Sequence, residues 1–96
     1  MARRGKAVST TVVNRYQRGA APFIYIGRPS KWGNPFIIGK DGSRHEVVQK
    51  YREWIVRQPE LMASLHELKG NRLACYCAPL ECHGDVLADL AERAKP

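Results

Sequence analysis

Four residues near the carboxyl end carry the side chains best suited to metal or nucleophilic chemistry: Cys75, Cys77, Cys82 and His83, spaced C-x-C-x4-C-H. Thiolate and imidazole are the usual donors of tetrahedral zinc, so the four form a candidate zinc site. Residues two apart on a strand share a face, which lets Cys75 and Cys77 approach one ion but equally lets Cys75 lie in the core. Cys82 and His83 are neighbours and must diverge before both reach the same metal. A second reading makes Cys82 a nucleophile, because a helix N-terminus and nearby cations lower a thiol's pKa and raise its thiolate fraction. His83 is then the candidate acid or base, with His45 as an alternative partner if its helix starts near the site. The sequence shows no Ser/His/Asp triad, no paired catalytic carboxylates and no P-loop.

A second cluster lies upstream, where Arg28-Pro29-Ser30-Lys31-Trp32-Gly33-Asn34-Pro35 combines cations, an aromatic and amide groups in a stretch that proline and glycine keep irregular. His83-Gly84-Asp85 opens a helix whose free amides and dipole favour an anion, and Gly84 clears the way for close approach. Phosphate is the natural occupant. In a bound nucleotide, Arg28 and Lys31 would balance the phosphate, Trp32 would stack on the base and Asp85 would accept a ribose hydroxyl. Ser30, Gly33, Asn34 and Arg44 complete the candidate ligand-binding set. Plainer roles exist for two of them: Asp85 as a helix cap and Trp32 as a loop anchor.

These groups meet only if the intervening elements bring them together. Residues 10–14 and 23–26 read as strands from their β-branched and apolar content. Ser43-Arg44-His45-Glu46 has the S-x-x-E pattern of a helix start, followed by an apolar face at Val47, Val48, Tyr51, Trp54 and Ile55 that Pro59 interrupts. Leu61, Met62, Leu65 and Leu68 repeat the spacing in a second helix that Gly70 can cap. Residues 72–77 form a third strand, and Val86, Leu87, Leu90, Ala91 and Ala94 the stripe of a last helix. The order is β-β-α-α-β-α. A strand, a helical crossover and another strand normally give a parallel pair, so strands 23–26 and 72–77 are expected side by side with their carboxyl ends pointing the same way. Ligands of open α/β sheets bind beyond those ends, which is where loops 28–34 and 77–85 would converge.

The chain has 96 residues, enough for one compact domain, expected over 10–96 behind a basic leader at 1–9. Residues 1–44 hold nine Lys/Arg and one acid, whereas residues 45–96 hold seven Lys/Arg and eight acids; the +7 net charge therefore belongs to the first half. That half is suited to phosphate, nucleic acid or an acidic protein. No apolar run reaches the roughly 20 residues of a membrane span. The basic start is not followed by an apolar stretch, and three cysteines cannot all pair within one chain; a cytoplasmic protein with reduced thiols is expected.

The segments 25–36 (Tyr-Ile-Gly-Arg-Pro-Ser-Lys-Trp-Gly-Asn-Pro-Phe), Ser43-Arg44, Tyr51, 73–79 (Leu-Ala-Cys-Tyr-Cys-Ala-Pro) and 82–88 (Cys-His-Gly-Asp-Val-Leu-Ala) resemble the phage and bacterial family called domain of unknown function 4326, over about residues 10 to 94. That resemblance implies an intracellular protein of a bacterium or bacteriophage and brings no established activity. Gly84-Asp85-Val86-Leu87-Ala88 is also similar to the second phosphate-loop element of small Rossmann-like nucleotide-binding proteins of the lysine-decarboxylase-like and DNA-processing superfamily. Those proteins have a glycine-richer loop, where this chain has Cys82 and His83. The expectation is a small single-domain Rossmann-like α/β fold, a two-layer or three-layer sandwich with a mainly parallel sheet, that binds a nucleotide-like ligand between loops 28–34 and 77–85. The alternatives are a zinc-stapled adaptor holding nucleic acid through its basic half, and a phage inhibitor of a host protein.

Overall fold

Three short stretches of β-branched and apolar residues supply the sheet of the computed structural model, which describes residues 10–78 and 80–94. Strand β1 spans Thr11–Asn14, β2 Ile24–Tyr25 and β3 Arg72–Cys75. Their order is β1-β3-β2, and both pairings are parallel. β3 is central, so Leu73, Ala74 and Cys75 are buried in succession, as a strand covered on both faces requires. β2 sits beside β3 with Ile24 opposite Leu73 and Tyr25 opposite Ala74, the parallel neighbourhood expected from the crossover rule. Leading residues 1–9 lie outside the described part.

The strands are shorter than their sequence patterns. Ile26 N still donates to Ala74 O at 2.9 Å, but the chain then turns at Gly27. The third strand ends at Cys75 rather than at Cys77, because the chain turns there, with Leu80 N donating back to Cys77 O at 2.7 Å. Cys75 and Cys77 therefore do not share a strand face.

Helix α1 runs Arg44–Ile55, α2 Pro59–Ser64 with a 3-10 turn at Leu65–Glu67, and α3 His83–Arg93. Ser43 and Glu46 form the capping box that starts α1, and Gly70 takes the left-handed conformation at φ +79° before β3. α3 packs on β1 and β3, while α1 packs on α3. Ile26, Tyr51, Ile55, Leu68, Leu73 and Leu87 form the fully enclosed centre of the core, with Trp54 and Met62 packed at its edge. Among the described residues, no helix is long and apolar enough to cross a membrane.

Candidate functional site

The carboxyl ends of β2 and β3 open into a cavity of about 400 Å³. Loop 28–34 contributes Arg28 and Asn34 to its border, the β3–α3 connection contributes Cys77, Glu81 and Cys82, and α1 contributes Arg44, Val47 and Val48. Both candidate loops thus border one space. The cavity also carries groups that sequence reasoning did not single out: an apolar wall of Phe36, Ile37 and Ile38, and the rings of Tyr25 and Tyr76. Their signal was present in an apolar Phe-Ile-Ile run following Pro35 that belongs to no helix or strand, leaving Ile37 and Ile38 partly exposed.

Loop 28–34 divides its residues between the cavity and the fold. Tyr25 Oη donates to Arg28 O at 3.1 Å, which steadies the start of the loop beside the cavity. Asn34 Nδ2 donates to Val47 O at 3.3 Å, and its Oδ1 accepts from Phe36 N at 2.9 Å, so Asn34 ties the loop to α1. Trp32 is only 3% exposed and belongs to the core cluster, with its carbonyl accepting from Tyr51 Oη at 2.7 Å. A base cannot stack on a ring enclosed in this way; Tyr25, Phe36 and Tyr76 hold the cavity positions expected for Trp32. Lys31 pairs with Glu67 at 3.2 Å and lies over the Trp32 ring, while Ser30 Oγ accepts from Trp32 N. Neither borders the cavity, and neither does Gly33, where a Cβ would meet Arg28 Cγ at 2.7 Å.

The amino end of α3 is closed by its own side chains. Gly84 N donates to Cys82 Sγ at 3.3 Å, and Asp85 Oδ2 accepts from Cys82 N at 3.1 Å. Gly84 is buried, and a Cβ there would meet Ile26 Cδ1 at 2.9 Å and Val12 Cγ1 at 3.1 Å. Its missing side chain lets α3 approach the sheet rather than a phosphate approach the helix. Asp85 serves as a cap, not as a ribose acceptor in the cavity. The cations facing the cavity are Arg28 and Arg44; Arg44 Nη1 donates to Glu81 O at 3.1 Å, and the Glu81 carboxylate lies 3.1 Å from His45 Nδ1.

Cys75, Cys77 and Cys82 converge, with their sulfurs all within 4.8 Å of one another and Cys75 Sγ 3.3 Å from Cys82 Sγ. His83 is not part of that group. Its Nε2 lies 2.8 Å from Ile26 O, and since a carbonyl only accepts, Nε2 carries the proton. Burial also holds His83 below the ordinary histidine pKa, which favours the neutral ring. Any activation belongs to the Cys75–Cys82 pair: with the sulfurs 3.3 Å apart one thiol donates to the other and holds the acceptor below the usual thiol range, and Cys77 N adds a further bond to Cys75 Sγ at 3.4 Å. Cys82 shares that contact with Cys75, burial raises both thiols, and Gly84 N at the start of α3 works in the opposite direction at Cys82.

A family model described as a domain of unknown function, DUF4326, matches residues 10–93, nearly all of the described chain. This protein is a member of the DUF4326 family. It is 36% identical to the uncharacterized 12.4 kDa protein in the nrdA-td intergenic region of Enterobacteria phage T4, over 87 residues that cover 85% of this chain and 77% of that relative. An uncharacterized protein of Acanthamoeba polyphaga mimivirus is 35% identical over 85 residues, covering 70% of this chain and 65% of the relative. No solved structure matches at a significant level. DUF4326 membership thus places the chain among viral relatives of unassigned activity, and the chemistry must come from the cavity itself.

Proposed function

We propose that this DUF4326 protein is a Rossmann-like α/β protein that binds a nucleotide or nucleotide-derived anion in the cavity at the carboxyl ends of β2 and β3. The observation that carries the reading is the shared border: loop 28–34, the β3–α3 connection and the start of α1 line one space that combines two arginines with an aromatic and aliphatic wall. Arg28 and Arg44 take the anionic group, while Tyr76 and Phe36 cover the flat apolar part. The volume of about 400 Å³ lies near the small end of ligand pockets, roughly 300–1,000 Å³, which suits a mononucleotide better than a dinucleotide. The cytoplasm of an infected cell fits this function, since it keeps the thiols beside the cavity reduced.

Thermal melting with a panel of nucleoside monophosphates, diphosphates and free bases tests the reading. A phosphate-bearing member should raise the melting temperature of the wild-type chain, and Arg28→Ala or Arg44→Ala should remove most of that shift. A flat response to every member of the panel, or equal shifts in both variants and wild type, would discard it.

A second reading is favoured by one surface feature. The Arg15 guanidinium lies 4.8 Å from the Tyr25 ring centroid and under 6 Å from those of Tyr16 and Tyr76, and Tyr16 and Tyr76 are 77% and 52% exposed. Such a cation-aromatic platform suits stacked bases of a single strand. Binding of a labelled oligonucleotide that weakens steeply with salt and is lost in Arg15→Ala would support it; affinity independent of salt would not.

A further inference from the structure

We infer that Cys75, Cys77 and Cys82 form a metal site, a three-thiolate seat for Zn²⁺ whose fourth coordination position opens onto the cavity. The three sulfurs come from three separate pieces of backbone: the end of β3, the turn that follows it and the residue capping α3. They nevertheless lie within 4.8 Å of one another. Sulfurs around a tetrahedral zinc with Zn–S bonds of about 2.3 Å stand about 3.8 Å apart. The Cys75–Cys82 pair stands at 3.3 Å and no pair exceeds 4.8 Å, so each spacing lies within about 1 Å of that value.

Two backbone amides already point at the sulfurs, Cys77 N at Cys75 Sγ (3.4 Å) and Gly84 N at Cys82 Sγ (3.3 Å). Donors of this kind hold metal thiolates in place and offset their charge. Soft thiolates select zinc over magnesium or calcium. Cys75 and Cys82 are buried while Cys77 is partly open, which provides a path of entry. All three border the cavity.

The expected fourth ligand, His83, has its Nε2 committed to Ile26 O, and among the described residues no other histidine, cysteine, aspartate or glutamate joins the group. A water, or a donor atom of whatever occupies the cavity, therefore completes the shell. Zinc replaces the protons of the three thiols, which leave to solvent, and no electron is transferred. The assignment stands on the thiols; the proposed nucleotide enters only as a candidate occupant of the fourth position.

Elemental analysis and native mass spectrometry of the full chain, purified in reducing buffer without chelator, test the site. About one zinc per chain is expected. Cadmium added to the metal-free chain should produce thiolate-to-metal absorption. His83→Gln should retain the metal and Cys77→Ser should lose it. Cys77 is the least buried of the three, so circular dichroism should show that Cys77→Ser still unfolds cooperatively. Absence of both zinc and the cadmium band would overturn the site. So would equal retention in Cys77→Ser, or loss of the metal from a His83→Gln chain that still unfolds cooperatively. Stoichiometric zinc without any nucleotide-induced melting shift would leave the metal site standing and remove the nucleotide reading.

Discussion

Helices α1 and α3 begin with the same device built from different atoms. At α1, Ser43 Oγ accepts from Glu46 N at 3.2 Å while Glu46 Oε1 accepts from Ser43 N at 2.8 Å. At α3, Cys82 Sγ takes the place of the hydroxyl and Asp85 that of the glutamate. The first box is exposed and serves the helix. In the second, Cys82 and Gly84 are buried against the sheet and against Cys75, and only Asp85 is exposed. Sulfur is a weak acceptor, and cysteine is not among the residues favoured at this position. The contrast is that residue 82 combines three contacts, with the Gly84 amide, the core and the Cys75 sulfur, where Ser43 only caps a helix.

The largest difference between the two starts should come from the second residue after each cap. Gly84→Val forces methyl groups into contacts already below 3.2 Å and should cost about 1–3 kcal/mol in urea unfolding. His45 is the equivalent residue of α1 and its side chain is 68% exposed, so His45→Val should change stability by less than about 0.5 kcal/mol. Equal costs would break the distinction between a buried and an open helix start.

The caps themselves should differ next. Ser43→Ala should destabilise the chain by about 1 kcal/mol. Cys82→Ser, compared on metal-free protein, should cost less than about 1 kcal/mol, because a hydroxyl caps the Gly84 amide at least as well as a thiol does. A loss of the size seen on truncating a core leucine, about 2–5 kcal/mol, would instead make Cys82 a packing residue.

The smallest effect concerns acid. Glu46 is held below its usual pKa of 4.5, first by the Ser43 amide and then by the Ser43 hydroxyl. A carboxyl depressed in the folded state adds stability that is complete above the unfolded value and is lost as pH falls through the folded one. Below about pH 4.5 the melting temperature of the wild type should therefore fall more steeply than that of Glu46→Gln. Parallel curves would show that the α1 box adds nothing measurable.

What was legible in the sequence follows the same division between local and tertiary causes. The Ser43–Glu46 box could be read because both partners lie within one turn of chain. The neighbourhood of β2 and β3 could be read because the chirality of crossovers leaves few other arrangements. The fate of Trp32 could not be read, since a tryptophan among Arg, Lys and Asn looks exposed until Tyr51, nineteen positions on, is seen to receive its loop in the core. The end of β3 at Cys75 was hidden for a similar reason. An apolar and thiol-rich Cys-Tyr-Cys run continues the strand pattern, and only the turn from Cys77 to Leu80 breaks it. That turn separates the sulfurs along the backbone and lets them converge in space, a result that the C-x-C spacing alone does not convey.

The central claim is that loop 28–34, the β3–α3 connection and the start of α1 act together on one anionic ligand. Titration of the ¹⁵N-labelled chain with the phosphate-bearing nucleotide that gives the largest melting shift locates that ligand directly. Amides of residues 27–28, 44–48, 76–78 and 82 should shift together along one saturable curve, while those around Lys31, Glu67 and α2 stay in place. Shifts confined to the Lys31 and α2 face, or none at saturating nucleotide, would contradict it.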